Sequence, residues 1–450
     1  MGERVSQKRL VPLAAAWLTI LLTNSAAWGA NLLEVYHLAR DNDSAFEAAR
    51  YTLEAIRQKI PEARAGLLPT VNMNGNDSRT EASTTFDPAP TMTRDVHTWT
   101  WTLQLVQPLI RLQNLFVYQE SQRLVEQATA QFDQAKQDLI LRVAQAYFGV
   151  VSAQESIAVT ESQVKAMQEQ LEIATHGFQA GTHAVTDVYE ARSRFDLAMA
   201  QLVATRNELA TKRAELEKIT GPISYPLAML RPAVAIPKPH PDDIRAWTNM
   251  AQENNPAIRA QKAALAAAES GIRRYRAEHL PTLDLTASYG KNYSSGSLTT
   301  PNDYTTAVTS QQAGIQLNIP IFAGGGTNAR VTGAIANRFK ARADLETARR
   351  QAIAEVRQAY AGIENGLSQV TALESTVDSS QKSVKGNRIG FGLGIRMNLD
   401  VLNAEQQLYA AQRDLAKARY DTLLQGLKLK AVAGILAETD VTEISIQLEN

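Results

Sequence analysis

The sequence contains no cysteine among its 450 residues. The chain can therefore form no disulfide, and its stability must come from packing or from assembly with other chains. The absence of cysteine also excludes an acylated N-terminal cysteine, so we expect no lipoprotein anchor.

An excess of charge is also missing, because Lys+Arg and Asp+Glu both number 46. Nucleic-acid-binding domains normally carry a basic excess, so we expect no nucleic-acid partner. The six histidines are scattered along the chain, and none belongs to a recognisable set of metal ligands. We therefore expect no metal and no other cofactor. No nucleophile–base pattern indicates an enzyme.

The first 29 residues are predicted to be a secretory signal peptide. Arg4, Lys8 and Arg9 form a basic segment, residues 10–22 are apolar, and small residues follow. A membrane-spanning helix would need about 20 apolar residues, which is longer than this run. The pattern thus predicts export from the cytoplasm.

The rest of the chain is an internal duplication at an offset of about 212 residues. Matching segments are Leu68-Pro69-Thr70 with Leu280-Pro281-Thr282, Gln145-Ala146-Tyr147 with Gln358-Ala359-Tyr360, and Asp187-Val188 with Asp400-Val401. Six prolines lie in the segment between the two halves, which cannot be helical. We predict five regions: a signal peptide 1–29, a first repeat 30–221 (helix, two strands, long helical hairpin), a proline-rich connector 222–241, a second repeat 242–436 and a C-terminal tail 437–450.

Each half contains two segments with alternating apolar and polar residues, so four strands are predicted per chain. Trp99 and Trp101, for example, alternate with threonines at 98, 100 and 102. The alternation fits a half-buried sheet in a soluble protein as well as a membrane barrel, because the signal of each spanning strand is weak. In a membrane barrel, the residues expected at the interfaces are Trp99, Trp101, Tyr304 and Phe322.

Two very long helices per half follow the strands. No proline occurs between Pro108 and Pro222, and small or apolar residues recur there at helical spacing. We predict helices over 109–176 and 185–220, separated by a turn at Gly181, with the same pattern repeated around Gly394. The first helix would be about 100 Å long, too long for an ordinary globular core, so it must pack along other long helices.

Four strands are too few for a closed membrane barrel, which needs about eight or more. An open sheet in lipid would leave backbone groups unpaired at several kcal/mol each. Three copies with four strands each would close a 12-stranded barrel and align their long helices. The predicted fold is therefore a trimeric, mixed α and β membrane protein, in which a transmembrane β-barrel continues as a long α-helical barrel.

The segments around the two glycine turns, 178–188 and 390–402, resemble the helix tips of the TolC family of outer-membrane factors. Residues 408–409 and 418–420 are also similar to that family, and the resemblance spans about the whole mature chain. It implies a homotrimeric channel in the outer membrane, in contact with outer-membrane lipid, whose α-helical barrel lies in the periplasm. It further implies two partners, a periplasmic adaptor and an inner-membrane ABC or other transporter.

The resemblance implies roles for charged residues at the tips. Arg396 would pair with Asp187 and Thr186 of a neighbouring coil and hold the periplasmic end shut. Asp400 would belong to a ring of carboxylates that faces the pore. The second ring position is the uncharged Asn403, a departure from the family. Without the resemblance, such exposed helix-end charges would be worth about 0–1 kcal/mol each.

Other tip residues also receive roles from the resemblance. Phe391 occupies a gate position where the family often has tyrosine. The residues expected to contact the adaptor are Gly181, Thr182, Gly394 and Ile395. Both glycines also suit turns that require a positive φ.

Three functional interpretations remain open from sequence. The favoured one is type I protein secretion, because the missing N-terminal cysteine resembles that branch of the family more than the lipoprotein drug-efflux branch. Small-molecule efflux is the alternative within the family. A periplasmic adaptor with a coiled-coil hairpin is the alternative outside it, although it explains neither the four strands nor the duplication. A secreted enzyme or binding protein would need a site that the sequence does not display.

Overall fold

The computed structural model describes residues 30–222, 226–231, 236–300, 302 and 304–448, so the predicted signal peptide lies outside the described residues. The helices and strands of the described part follow in this order: α1 Leu32–Asn42, α2 Ser44–Arg57, α3 Lys59–Ala65, β1 Thr70–Thr84, β2 Met92–Ile110, α4 Leu112–Gln179, α5 Val185–Thr220, α6 Ile244–Asn254, α7 Pro256–Ala277, β3 Thr282–Ser294, β4 Thr306–Asn318, α8 Gly326–Gly392, α9 Asn398–Val432 and α10 Glu438–Ile446.

The two halves present the same sequence of elements. Each begins with helices of 7 to 22 residues, which are followed by two strands, a helix of 68 or 67 residues and a returning helix of 36 or 35 residues. At 1.5 Å per residue, α4 and α8 are each about 100 Å long. The predicted helices over 109–176 and 185–220 are confirmed as α4 and α5, and the first begins and ends three residues later than expected.

The four strands form one antiparallel sheet in the order β1-β2-β3-β4. Directly paired residues share a face, and the register separates the side chains into two chemically different surfaces. The apolar face carries Val71, Met73, Trp99, Trp101, Leu103, Leu105, Leu285, Ala287, Tyr289, Tyr293, Ile315 and Leu317. The polar face carries Asn72, Asn74, Asn76, Thr98, Thr100, Thr102, Gln104, Thr286, Ser288, Asn292, Gln312 and Gln316. The alternation predicted from sequence is thereby confirmed.

The first hairpin is longer than the second. Strands β1 and β2 have 15 and 19 residues, whereas β3 and β4 have 13 each. The extra length lies at the ends joined by the β1–β2 turn. On the apolar face, this region changes to charged residues: His97 contacts Asp77 at 2.6 Å, and Arg79 pairs with Asp95. The apolar band of the sheet therefore ends near Trp99.

The long helices are packed as two hairpins that also contact each other. Helix α4 packs along α5 and α7, α8 packs along α9 and α7, and α4 also contacts α9. The main core lies midway along them, where Leu139, Val143 and Tyr147 of α4 meet Leu32 of α1 and Leu427 of α9. Within the described residues, no helix is both long enough and apolar enough to cross a membrane.

The described parts of the predicted connector and tail close this core. Leu227 forms a bridge with Ala30, and Leu230 forms one with Leu448. The hydroxyl of Tyr147 donates to the carbonyls of Ala30 and Ala228, at 3.1 and 2.7 Å. Helix α10 lies in the segment predicted as a tail, and it packs against α1.

Asp43 divides the predicted first helix, so that α1 ends and α2 begins at this residue. Its Oδ1 accepts a hydrogen bond from the amide of Phe46 at 2.6 Å, which caps α2. Arg142 of α4 donates to both carboxylate oxygens, at 2.7 and 3.1 Å. Burial alone would raise the pKa of Asp43, but the bonds from Arg142 and Phe46 outweigh it and hold that pKa below its usual value of 3.8.

Replacing Asp43 with asparagine should keep the cap acceptor and remove the charge that binds Arg142. We expect Asp43→Asn to lower the stability near pH 7 by about 1–3 kcal/mol. Because the pKa of Asp43 is lowered in the folded state, its contribution to wild-type stability is fully present above the usual pKa and is lost as pH falls through the folded-state pKa. The difference between the variant and the wild type should therefore shrink in acid.

Urea unfolding midpoints at several pH values would measure this difference. Asp41→Asn is the matched control, because Asp41 is two residues away on the surface of α1 and largely exposed. A constant difference between Asp43→Asn and wild type down to about pH 3 would contradict the assignment.

Candidate functional site at the helix tips

The turn between α4 and α5 is built around a glycine with a positive φ. Gly181 has φ 73°, which side-chain-bearing residues rarely adopt. The amides of Thr182 and His183 both donate to the carbonyl of Gly177, at 2.9 and 3.2 Å. These bonds satisfy the end of α4 and reverse the chain within a few residues.

The turn between α8 and α9 has the same construction. Gly394 has φ 74°, and the amides of Ile395 and Arg396 donate to the carbonyl of Gly390, at 2.8 and 3.2 Å. The duplication therefore extends to individual hydrogen bonds, and each residue of the first tip has a counterpart 213 positions later.

Asp187 and Asp400 are such counterparts, and each stabilises the start of its own helix. The carboxylate of Asp187 accepts from the amide of Ala184, and that of Asp400 accepts from the amide of Met397, both at 3.2 Å. A carboxylate in the first turn is also favoured by the helix dipole. Both side chains are only partly exposed, whereas Thr186 is exposed.

Arg396 is largely exposed, and its guanidinium lies 3.9 Å from the carboxylate of Asp400. In the described part of this single chain, no ion pair joins Arg396 to Asp187. The predicted contacts of Arg396 with Asp187 and Thr186 of a neighbouring coil stay a prediction.

Asn403 is bound by an arginine from the other hairpin. Arg194 of α5 donates to the Asn403 side-chain oxygen at 3.0 Å and to Gln406 at 2.5 Å. The amide oxygen of Asn403 accepts this hydrogen bond without placing a further negative charge near the tip. The sequence offered no signal for this contact, whose partners are 209 residues apart.

The outermost surface of both tips is apolar. Leu393, Ile395 and Met397 are each at least two-thirds exposed, and Phe178 and Val185 are also exposed. The residues predicted to contact an adaptor (Gly181, Thr182, Gly394 and Ile395) all lie on this exposed surface. Phe391 faces the first tip, where its ring meets that of His183.

A buried ion pair that the sequence did not reveal lies behind the second tip. Arg388 of α8 donates to one carboxylate oxygen of Glu405 on α9, at 2.8 and 2.5 Å. Glu405 is 1% exposed, whereas Arg388 reaches solvent. Burial raises the pKa of Glu405 above its usual value of 4.5, although Arg388 opposes the shift.

At the opposite end of the molecule, the predicted interface aromatics occupy two levels. Trp99 stacks on Tyr293, and Trp101 packs against Tyr289, with ring centroids 5.6 and 5.5 Å apart. Phe322 follows β4 at the end nearest the long helices and is 87% exposed. Tyr304 precedes β4 at the other end and is half exposed.

Across the described ranges, no group of three His, Asp or Glu side chains is placed to hold a metal ion.

A family model described as outer membrane efflux protein matches the chain twice, over residues 35–222 and 247–435. The chain belongs to this family. Membership makes it an outer-membrane protein, as the sequence predicted, and removes the periplasmic adaptor as an alternative. The two matches fall within the two halves that share one order of elements.

Individual relatives of the outer membrane efflux protein family cover nearly the whole chain. The alkaline protease secretion protein AprF of Pseudomonas aeruginosa is 33% identical over 94% of this chain and 88% of its own length. The outer membrane protein TolC of Escherichia coli is 31% identical over 97% and 89%. Among solved structures, the Campylobacter jejuni CmeC outer membrane channel has a TM-score of 0.79 at 18% identity, covering 93% and 90%. The predicted fold class is confirmed.

Replacing Glu405 with glutamine should remove a pH-dependent element of stability. A raised folded-state pKa means that the folded protein binds more protons than the unfolded chain between about pH 4.5 and that pKa. The contribution of Glu405 to wild-type stability should thus be fully present at the acid end of this interval, and it should decrease as pH rises through the interval. Glu405→Gln should lack this decrease, and its stability near pH 7 should stay within about 1 kcal/mol of wild type, because charge and desolvation are lost together.

Thermal unfolding midpoints between about pH 4 and pH 8 would test this expectation. Glu374→Gln is the matched control, since Glu374 also pairs with an arginine, Arg419, but is half exposed. The same pH dependence in wild type and Glu405→Gln would show that Glu405 is not the titrating group.

Proposed function

We propose that this outer-membrane protein is a homotrimeric channel that exports proteins, working in type I secretion with an inner-membrane transporter and a periplasmic adaptor. The observation that supports it most is the four-stranded sheet with one apolar and one polar face, joined directly to helices about 100 Å long. The proposal assigns the chain no enzymatic activity.

The trimer follows from the edges of the sheet. Among the described residues, strands β1 and β4 each pair on one side only, so each presents a free row of backbone groups. In lipid these groups would cost several kcal/mol each unless another copy pairs with them. Three copies, each contributing four strands, would join edge to edge into a 12-stranded barrel. The apolar face would then contact outer-membrane lipid, and the polar face would line a water-filled pore.

The same assembly would place the helical hairpins side by side and continue the pore into the periplasm. Their exposed apolar tips would form the surface that meets the adaptor. We propose that the domains are a repeat over 30–221 and a repeat over 242–436, joined by the connector 222–241. Each repeat would supply one hairpin of strands and one hairpin of helices to the pore.

A gate at the tips is part of the proposal. Arg396 extends from the second tip and holds its own Asp400 only at 3.9 Å. Such a loose exposed pair leaves the guanidinium available for Asp187 and Thr186 of an adjacent coil. The three copies of Asp400 would form a ring of carboxylates around the pore axis, which attracts cations.

The cargo is proposed to be a protein, because the relative AprF is named for the secretion of an alkaline protease. Small-molecule efflux is the second candidate, supported by the family description as efflux protein. Both cargoes need the same channel, so the first experiment tests the channel itself.

The experiment is single-channel recording of the purified mature protein in planar bilayers, with Arg396→Ser beside the wild type. We expect a small, steady wild-type conductance and a severalfold higher conductance in the variant, because the gate loses the positively charged guanidinium of Arg396. Lys385→Ser is the control for loss of one positive charge on an exposed part of α8. Protein that is folded but never inserts would refute the channel, and equal conductance in wild type and Arg396→Ser would refute the gate.

Replacing Asp400 with asparagine tests the carboxylate ring. The asparagine oxygen can still accept from the amide of Met397, so the helix start is kept while three charges are removed from the trimer. We expect a lower ratio of cation to anion permeability, read from reversal potentials in a salt gradient. Asp414→Asn on the same helix serves as control, and an unaltered ratio for Asp400→Asn would place Asp400 outside the pore.

A further inference from the structure

His183 folds back over its own tip and reaches the other hairpin. Its side chain covers Gly177, at which an added Cβ would collide with the imidazole ring. Gly177 lies inside α4, so its role is to leave room for this ring rather than to permit an unusual φ. On its far side, the His183 ring meets that of Phe391 on α8, with centroids 5.4 Å apart and planes tilted by 45°.

The second tip has the same arrangement with a different side chain. Arg396 lies over Gly390, where an added Cβ would sit 2.8 Å from its Cγ. Each pair of residues is six positions apart, and the pairs are related by the 213-residue offset of the tips. His183 is thus the counterpart of Arg396, the residue with the central role in the proposed gate.

The two counterparts differ in where their side chains lie. Arg396 is 59% exposed, whereas the Nδ1 of His183 is buried against Gly177 of its own hairpin. Their contacts also differ: Arg396 approaches Asp400 of its own tip, whereas His183 contacts an aromatic ring of the opposite tip. His183, at this position of the first tip, therefore links the two tips of one protomer.

The contact between His183 and Phe391 lies nearer the tips than the hydrogen bonds by which Arg194 joins the two hairpins. Arg194 binds Asn403 and Gln406 about three turns further along α5. Separation of the hairpins at the tips must therefore break the contact between His183 and Phe391 before it reaches the Arg194 bonds.

We propose that His183 is a positioning residue of the gate: it holds Phe391, and with it the tip of the second hairpin, against the first hairpin in the closed channel. This inference rests on the channel and gate proposed above. The group recognised by His183 is an aromatic ring of the same chain, so the contact forms before any partner docks. Opening then requires the two hairpins of one protomer to separate, in addition to any change between protomers.

The test compares ring-removing and ring-keeping variants of the full trimer in planar bilayers. His183→Gln should raise the single-channel conductance severalfold, because glutamine cannot reproduce the ring contact. His183→Phe should keep the conductance low, since it retains a ring over Gly177. His176→Gln is the matched control, because His176 lies on the same tip and is exposed. Its conductance should equal that of wild type.

Two further variants separate coupling from simple loss of packing. Phe391→Leu should open the channel like His183→Gln, and the double variant should open it no further, because both remove one contact. Gly177→Ala should also open it, by displacing the ring from its place on α4. This variant replaces His183→Gln in the test should that protein fail to form trimers, since alanine favours the helix.

The outcomes distinguish this inference from the channel itself. Wild-type conductance in His183→Gln, with Arg396→Ser open, would overturn the role of His183 and leave the gate intact. An open His183→Phe, or an additive double variant, would overturn the ring contact as the cause. Absence of channels in every variant and in wild type would instead remove the proposed function.

Discussion

Unpaired backbone groups along two strands are the constraint on which the rest of the architecture depends. The sheet of one chain ends at β1 and at β4, and neither edge has a partner within the described chain. Water could satisfy those groups, but lipid cannot. A sheet with two open edges therefore needs further strands at both edges if it is to span lipid. The proposed trimer removes all the edges at once, and the long helices are then aligned as a consequence of strand pairing.

The tips of the helical hairpins share one design but differ in detail between the two halves. Both tips use a positive-φ glycine, a carboxylate in the first turn of the returning helix and a side chain folded over a glycine of the preceding helix. The halves diverge in that last side chain, which is histidine in one and arginine in the other. The same tip design thus occurs twice in the chain, and this side chain has different neighbours in the two copies.

Local sequence patterns predicted the elements well. The proline-free stretches with helical spacing gave α4 and α5, and period-two alternation gave strands whose register separates Trp99 and Trp101 from the threonines between them. Two local features were missed: Asp43 divides the first predicted helix, and α10 occupies the predicted tail. Asp43 was missed because its cap and its bond to Arg142 give no periodic signal.

The contacts of the candidate site were less predictable. Three contacts join different parts of the chain: Arg388 with Glu405, Arg194 with Asn403, and His183 of the first turn with Phe391 of α8. The two hydrogen-bonded pairs are 17 and 209 positions apart. Periodicity describes one helix at a time, so it cannot pair them. The resemblance to a family indicated Arg396, Asp187 and Asp400, which the fold places at the tips, but it was silent on His183.

The unequal hairpins of the sheet determine which side chains surround the outer opening. In a closed ring of three copies, the long strands β1 and β2 would alternate with the short strands β3 and β4, and the residues after β3 rise along β2, where Arg94 donates to the carbonyls of Ser297 and Thr300, both at 2.6 Å. The three copies of β1 and β2 would carry charged residues such as Arg79 and Asp95 above the apolar band. A macromolecule approaching from outside would therefore meet charged side chains before it reaches the pore.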